Sequence, residues 1–509
     1  MEKRLFLAIA LSLLILLSWS AFVSKTQPID NKQVASNTVA VQTAIVPFTQ
    51  IKTSPLLIEE KSLSPQATVK FAQNNIELVF DEQKAAIVEV LFKDGLHYKF
   101  PLKSGFLTDN GSLVFKQTDA TADSITFVHQ DQSQKITKKF LFTNPKYTME
   151  LQVNFENLSS APINISNSLI LGVADISAKN KQARYQDIFL VNNNKSMHLS
   201  LGKNYQSESV KTLGFRDQYY CAIVSPVGGS FSGNINKVQN AAEFSLNGGN
   251  TILNAGEQIG HSYRIYLGPQ EVYSLNQANP DWTGIIYFGM FDFIAQIILQ
   301  LLGFFYNLVH NWGWAIIILS LVVYALLYPL SLKQMRSMKE MQVLQPKIDA
   351  LRKEYKDNPQ KLNKEIMELY REHKVNPLGG CLPLLLQMPI FFALYQALIR
   401  SVALRGAKFM WIKDLSEPDK LFSFSKSIPI LGSDINILPI LMAIGMFVQQ
   451  KISLGNASGA AAEQQKMMLF IMPVMFGVIF YNMPSGLVLY WFVNSALMLF
   501  YQFKIYKKA

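Results

Sequence analysis

The chain has 509 residues, 49% of them hydrophobic and 12% aromatic, and a net charge of +11. That length exceeds a single domain, and the two cysteines, Cys221 and Cys381, lie too far apart in sequence to suggest a disulfide framework or a metal site. Long uncharged runs in the C-terminal half argue against an ordinary soluble globule, and basic excess in such a chain marks cytoplasmic loops and anionic lipid contact rather than nucleic-acid binding.

Residues 1–23 open with Lys3 and Arg4 ahead of an uncharged apolar run. The run is longer than a usual signal-peptide core, and Ser18-Trp19-Ser20-Ala21 is a poor cleavage site. An uncleaved anchor is expected, with the N-terminus held inside by its basic residues. Residues 24–58, polar and without helical period, read as a flexible tether. From 59 to 278 the pattern is short alternating strands broken by Asn, Gly, Asp and Pro. Examples are Ile76–Phe80, Ser124–His129, Lys138–Phe142 and Tyr147–Phe155, the last with Met149, Leu151, Val153 and Phe155 on one face. A large antiparallel β-sandwich is expected. Its histidines, His97, His129, His198 and His261, show no ligand or triad spacing.

Residues 282–309 carry Asp292, Gln296, Gln300 and Asn307 as one polar stripe on an apolar helix, which fits a helix lying in the interface. A span at 313–332 follows. The segment 333–375 is charged and helix-forming, with eleven basic against seven acidic residues up to Lys374, a net +4, and so belongs in the cytoplasm. Met341, Leu344, Ile348, Leu351 and Tyr355 step by three and four, as do Leu362, Ile366, Leu369 and His373, while Asp357-Asn358-Pro359 breaks the helix between them. This predicts a two-helix hairpin with a coiled-coil-like seam. Further spans are expected at 380–399, 435–450, 467–483 and 487–503, after an outer loop whose mixed charge fits the positive-inside rule poorly. The prediction is a polytopic α-helical membrane protein of six spans, five of them in a core at 279–509, with both termini inside and the sandwich outside.

No phosphate-cradling loop, HExxH, GxSxG or cysteine pair occurs, so no cofactor, metal or catalytic residue is expected. The five later spans hold no interior charge, which counts against an ion-coupled transporter. They hold neutral polarity instead, at Ser320, Tyr324, Gln387, Asn482, Ser485, Tyr490 and Asn494. Any one of these by itself reads equally well as a helix–helix bond. Spread over four segments, they fit a wet cavity.

Five runs then carry a resemblance: Tyr328-Pro329-Leu330, Leu344-Gln345-Pro346-Lys347-Ile348, Val375-Asn376-Pro377-Leu378-Gly379-Gly380-Cys381, Gln387-Met388-Pro389-Ile390-Phe391, and Pro484-Ser485-Gly486-Leu487-Val488-Leu489-Tyr490. In order and spacing they resemble the YidC/Oxa/Alb insertase family, and the layout resembles its Gram-negative form, whose outer domain is a galactose-mutarotase-like supersandwich. The resemblance implies a membrane insertase and chaperone in the bacterial inner membrane, acting alone or with the Sec translocon. It implies no nucleotide, a polar groove closed on the outside, and nascent membrane proteins as substrates. Ribosomes or targeting factors would dock at the cytoplasmic hairpin. The groove residues it marks are Ser320, Tyr324, Gln387, Met388, Pro389, Phe391, Ser485, Tyr490 and Asn494. Family members usually carry an Arg four residues before Tyr-Pro-Leu. Here that place is Tyr324, so hydrogen bonding by Tyr324 and Gln387 is the expected substitute. Two rivals remain: a transporter, which needs an intramembrane charge, and a sugar-active enzyme built on the sandwich, which needs a His and a carboxylate in one cleft.

Overall fold

The computed structural model describes residues 68–507, apart from 74, 109–112, 181, 194, 357, 374, 376–381, 429–431 and 455–459. The expected anchor at 1–23, the tether at 24–58 and the glycine-rich opening at 376–381 lie outside the described residues.

The alternating runs form long strands because one face of each is apolar and finds another sheet to cover it. Ile76–Asp81, Ser124–Gln130, Gln134–Thr143 and Thr148–Asn157 all form, and Met149, Leu151, Val153 and Phe155 are buried together. A nine-stranded antiparallel sheet runs from edge strand Lys195–Leu199 through Asp187–Asn192, Val210–Arg216, Tyr220–Pro226, Gln258–Pro269, Thr148–Asn157, Gln134–Thr143 and Ser124–Gln130 to Lys116–Ala120. A five-stranded sheet centred on Ile163–Asp175 and Ala241–Leu253 faces it, and a four-stranded meander, Thr68 to Phe100, covers the rest. Aromatic pairs join the layers: Phe215 stacks on Phe244 at 5.0 Å, and Phe80 meets Phe140 edge-on at 5.0 Å.

Lys138 lies fully buried inside this core. Its Nζ donates to the carbonyls of Ala85 (2.6 Å) and Phe106 (2.8 Å), two residues held at positive φ. Burial pulls its amine down to about 7. Between that value and about 10.4, the free-lysine value, the unfolded chain binds more protons, so stability rises with pH across this window. Lys138→Met is expected to flatten that rise in denaturant titrations at pH 7 to 10. It also strips two buried carbonyls of their donor, which costs about 2–4 kcal/mol.

The helical part begins at α1 (Val272–Ala278), which leads into a strap at 280–288. The strap is tied down on the nine-stranded sheet. Trp282 Nε1 donates to Ser225 Oγ at 2.9 Å, and Arg216 donates to the carbonyls of Ile285 (2.8 Å) and Tyr287 (3.1 Å). Arg216 also grips Asp187 with two bonds of 2.6 Å, and His198 sits between Asp187 Oδ1 (3.4 Å) and the Gly284 carbonyl (3.0 Å). The His–carboxylate pair that the enzyme reading needs therefore exists, but one ring nitrogen is taken by Asp187 and the other by the strap carbonyl of Gly284.

Helix α2 (Asp292–Val309) is shorter than the predicted 282–309, because the strap takes its first residues. Its polar stripe is present, with Gln296, Gln300 and Asn307 exposed while Ala295, Ile298, Leu302 and Phe305 are buried. Helix α3 (Trp312–Glu354) is continuous through Pro329 and Pro346, so the predicted span and the first hairpin arm are one rod of about 65 Å. Helix α4 (Pro359–Glu372) folds back on it, capped by Asn358, whose side chain accepts from Lys361 N at 3.1 Å. Of the nine seam positions the spacing predicts, Met341, Leu344, Ile348, Ile366 and Leu369 pack in the seam, while Leu351, Tyr355 and Leu362 do not. It takes in Tyr370 and Val375 rather than His373, which instead accepts from Lys347 Nζ at 3.0 Å.

Helices α5 (Leu382–Ile399), α6 (Ile437–Leu454), α7 (Ala460–Phe480) and α8 (Ser485–Lys507) complete the core. Among the described residues three helices have the length and apolarity to cross a membrane: Gly289–Val309, Trp312–Leu332 and Ser485–Phe503. Gln387–Ile399, Ile437–Ile452 and Leu469–Phe480 are shorter apolar helices. Helix α2, predicted to lie flat, thus meets the length criterion for a span.

Between α5 and α6 the sequence suggests only a loop. The structure has a short hairpin there, Phe422–Ile428 with Gly432–Ile435. The start of that loop also docks on the sandwich. Arg405 lies 4.7 Å from the Tyr98 ring and 5.0 Å from the Tyr219 ring, and Gln218 Nε2 donates to the Ile399 carbonyl at 2.8 Å. Tyr98 in turn donates to the buried carboxylate of Asp217, which burial pushes up to about 6.

Candidate functional site

The sandwich-proximal ends of the core helices are tied together by the α5–α6 loop. Asp419 Oδ2 accepts from Trp411 Nε1 (3.1 Å) and from the first amides of α6, Ile437 (2.9 Å) and Leu438 (3.0 Å). Asn436 Nδ2 donates to the Tyr481 carbonyl at the end of α7 (2.7 Å). Ser485, opening α8, donates from N to Glu417 O (2.7 Å) and from Oγ to Asp414 O (3.0 Å). Asn311, which caps α3, donates to Lys408 O (3.3 Å). Each helix end has orphan backbone groups, and here loop side chains satisfy several of them. This cap was not legible in sequence, because Asp419 lies eighteen positions from the helix it caps and the usual signal looks only one turn away.

Below the cap the predicted polar residues separate into three groups. Gln387 Nε2 on α5 donates to the Tyr490 hydroxyl on α8 at 3.1 Å. Asn494 lies one turn further along α8, and its Nδ2 is buried without a partner. Tyr324 on α3 is 9% exposed, and its buried hydroxyl also has no partner. Its ring stacks on Tyr501 of α8 at 5.5 Å. A third orphan, Gln450 Oε1 on α6, was not singled out from sequence. It stands between Gln449 and Lys451, where the sequence reads as the polar end of a span.

The remaining residues do other work. Ser320 is fully buried and bonds its own helix, Oγ to Ile316 O at 2.8 Å. Ser485 belongs to the cap. Phe391 packs in an aromatic cluster with Trp491 (5.3 Å) and Phe480 (5.7 Å), while Met388 and Pro389 are half-buried beside it. Among the described residues no group of three His, Cys, Asp or Glu is placed to hold a metal ion.

The neutral orphans sit on α3, α6 and α8, where α8 packs against both of the others. Counting from the sandwich-proximal helix ends, Asn494 lies about 14 Å, Tyr324 about 18 Å and Gln450 about 20 Å down. That is near or past the middle of about 30 Å of hydrocarbon. A buried polar atom in hydrocarbon with no partner costs several kcal/mol. The arrangement can therefore stabilise water or a polar chain at mid-depth, without charge.

Comparison with known proteins follows the same division of the chain. A family model described as YidC periplasmic domain matches residues 58–301, and one described as 60Kd inner membrane protein matches residues 304–509. A protein named Membrane protein insertase YidC from Syntrophus aciditrophicus is 32% identical, with all of both chains covered. One of the same name from Pelobacter propionicus is 35% identical over 75% of this chain and 71% of its own. A solved structure described as an active YidC insertase with its first transmembrane domain resolved is 21% identical, covers 86% of this chain and 93% of its own, and has a TM-score of 0.42. With full-length identity at this level, two domain models in the order seen here, and a β-rich domain joined to apolar helices, the chain belongs to the YidC family.

Proposed function

We propose that this protein is an inner-membrane insertase and chaperone that passes polar chain ends of nascent membrane proteins through a wet groove among α3, α5, α6 and α8. The observation that carries this reading is the set of partnerless buried polar atoms, Tyr324 Oη, Gln450 Oε1 and Asn494 Nδ2, on three helices that also hold the Gln387–Tyr490 bond. The groove residues proposed are Tyr324, Gln387, Tyr490 and Asn494, with Gln450 added. A polar flank enters the groove, and the apolar segment behind it partitions into lipid. Twenty residues at about −0.3 to −0.6 kcal/mol each, for Leu, Ile, Phe or Val, supply several kcal/mol, so no nucleotide is needed.

Six spans, both termini in the cytoplasm and the sandwich in the periplasm complete the proposal. The hairpin of α3 and α4 is the proposed docking point for ribosomes or targeting factors, and the Sec translocon is a proposed partner. The names of the relatives support the insertase reading. Depleting the protein and tracking newly made membrane proteins by protease protection tests it, with short-tailed, single-span substrates expected to fail. Tyr324→Phe is expected to slow their insertion several-fold, since one hydrogen bond to a passing chain is worth about 1 kcal/mol. Unchanged insertion would remove Tyr324 from the groove.

A further inference from the structure

On the lipid-facing side, α6 and α7 diverge around a slot of ≈ 400 Å³. Ile440, Ile444 and Phe447 form one wall, and Phe470, Val474 and Val478 the other. Five of these six, Ile440, Ile444, Phe470, Val474 and Val478, are 42–62% exposed, so the slot is continuous with the apolar surface that faces lipid. Its sandwich-proximal rim ends at the exposed Asn482, next to the buried Tyr481, whose hydroxyl is held by Asp434 O (2.9 Å) and Asn436 N (3.3 Å). Two residues shape it. Gly477 lets α7 approach Ala443 closely, since an added Cβ there would meet the Ala443 Cβ at 3.3 Å. Pro473, inside α7, has no N–H to offer the Leu469 carbonyl.

Length and volume decide what fits. From Phe470 to Phe480 is ten helical steps, about 15 Å, which equals one leaflet of a hydrocarbon core about 30 Å thick. A transmembrane helix at least 10 Å across would displace about 1,200 Å³ over that length, more than the slot holds. An extended acyl chain, with carbon contacts near 4 Å, needs roughly 200–250 Å³. We propose that the α6–α7 slot holds one acyl chain of a phospholipid from the sandwich-side leaflet, with its polar head at the exposed Asn482. The chain braces α7, which otherwise leans on α6 and the aromatic cluster of Phe476, Phe480 and Trp491. The inference takes the membrane placement of α6 and α7 from the reading above but not the insertase activity.

The test uses full-length protein reconstituted in phosphatidylethanolamine and phosphatidylglycerol vesicles. It is then extracted in mild detergent and weighed by native mass spectrometry. The natural chain is expected to retain one phospholipid. Ala443→Phe, which fills the slot, is expected to retain none. Leu326→Phe, which adds the same bulk at a lipid-facing site on α3 outside the slot, is expected to retain one. Equal retention in all three proteins, or loss of all lipid from the natural chain, overturns the proposal. A cysteine at Val474 that cross-links to the apolar segment of an arrested substrate overturns it too, by showing a peptide occupant. None of these readouts measures insertion, so they separate failure of the lipid site from failure of the insertase reading.

Discussion

Arg216→Ala is expected to destabilise the sandwich by about 3–5 kcal/mol, the usual result of leaving one member of a buried ion pair alone. Arg216 is 2% exposed, and its fork binds both oxygens of Asp187 at 2.6 Å while its third nitrogen holds the strap carbonyls of Ile285 and Tyr287. Removing it strands the Asp187 carboxylate and frees the strap, so amide exchange at 282–288 should rise together with the loss in thermal stability. Arg216→Lys keeps the charge but not the planar fork, and about half the loss is expected. The pH dependence has a definite sign. Burial opposes ionisation of Asp187, but Arg216 and His198 outweigh it and hold the carboxyl well below the usual range. The pair's stabilisation is therefore present above pH ~4 and lost as pH falls below it. In Arg216→Ala that acid-side loss should vanish. A loss under about 1 kcal/mol would show that the strap is held by Trp282 packing instead.

Insertion of single-span substrates with polar tails is expected to fall at least tenfold in the double variant Gln387→Leu with Asn494→Leu. Both substitutions exchange an amide for a hydrocarbon of similar size, so packing volume is kept, while the loss of the Gln387 donor leaves the buried Tyr490 hydroxyl unpaired and is expected to cost about 1–3 kcal/mol. What goes is hydrogen bonding at mid-depth. Two bonds to a passing chain are worth about 1–2 kcal/mol in total, and the drying of the groove raises the cost of a polar flank further. Each 1.4 kcal/mol is a factor of ten. The comparison substrate is a single span with an apolar tail, which needs no wet path and should insert at nearly the natural rate. If both substrates slow equally, the amides serve helix packing rather than the groove.

Reading the chain in order locates the strands well, because a half-buried strand must alternate. Thr148–Asn157 carries its own evidence in Met149, Leu151, Val153 and Phe155. The hairpin seam is legible for the same kind of reason, since a period between three and four puts Leu344, Ile348, Ile366 and Leu369 on facing stripes. The Gln387–Tyr490 bond pairs two residues singled out by an independent cue, polarity in an uncharged span.

Local pattern fails where partners are remote. Lys138 reads as an ordinary strand lysine, yet it is buried with its amine on two carbonyls more than thirty residues away. His198 and Asp187 show no motif spacing, yet the pairing of Phe189 with His198 across two neighbouring strands brings them together. Phe391 and Ser485 sit in recognisable motifs, but one packs in an aromatic cluster and the other in the cap.

The sequence by itself determined the order of domains, the strand and helix periods, and the family, because periodicity and short motifs are properties of neighbouring residues. The tertiary structure alone decided which polar atoms lack partners, what closes the sandwich-proximal helix ends, and where a slot opens between α6 and α7. Those depend on which distant side chains meet in space, and burial without a partner is defined only once every neighbour is in place.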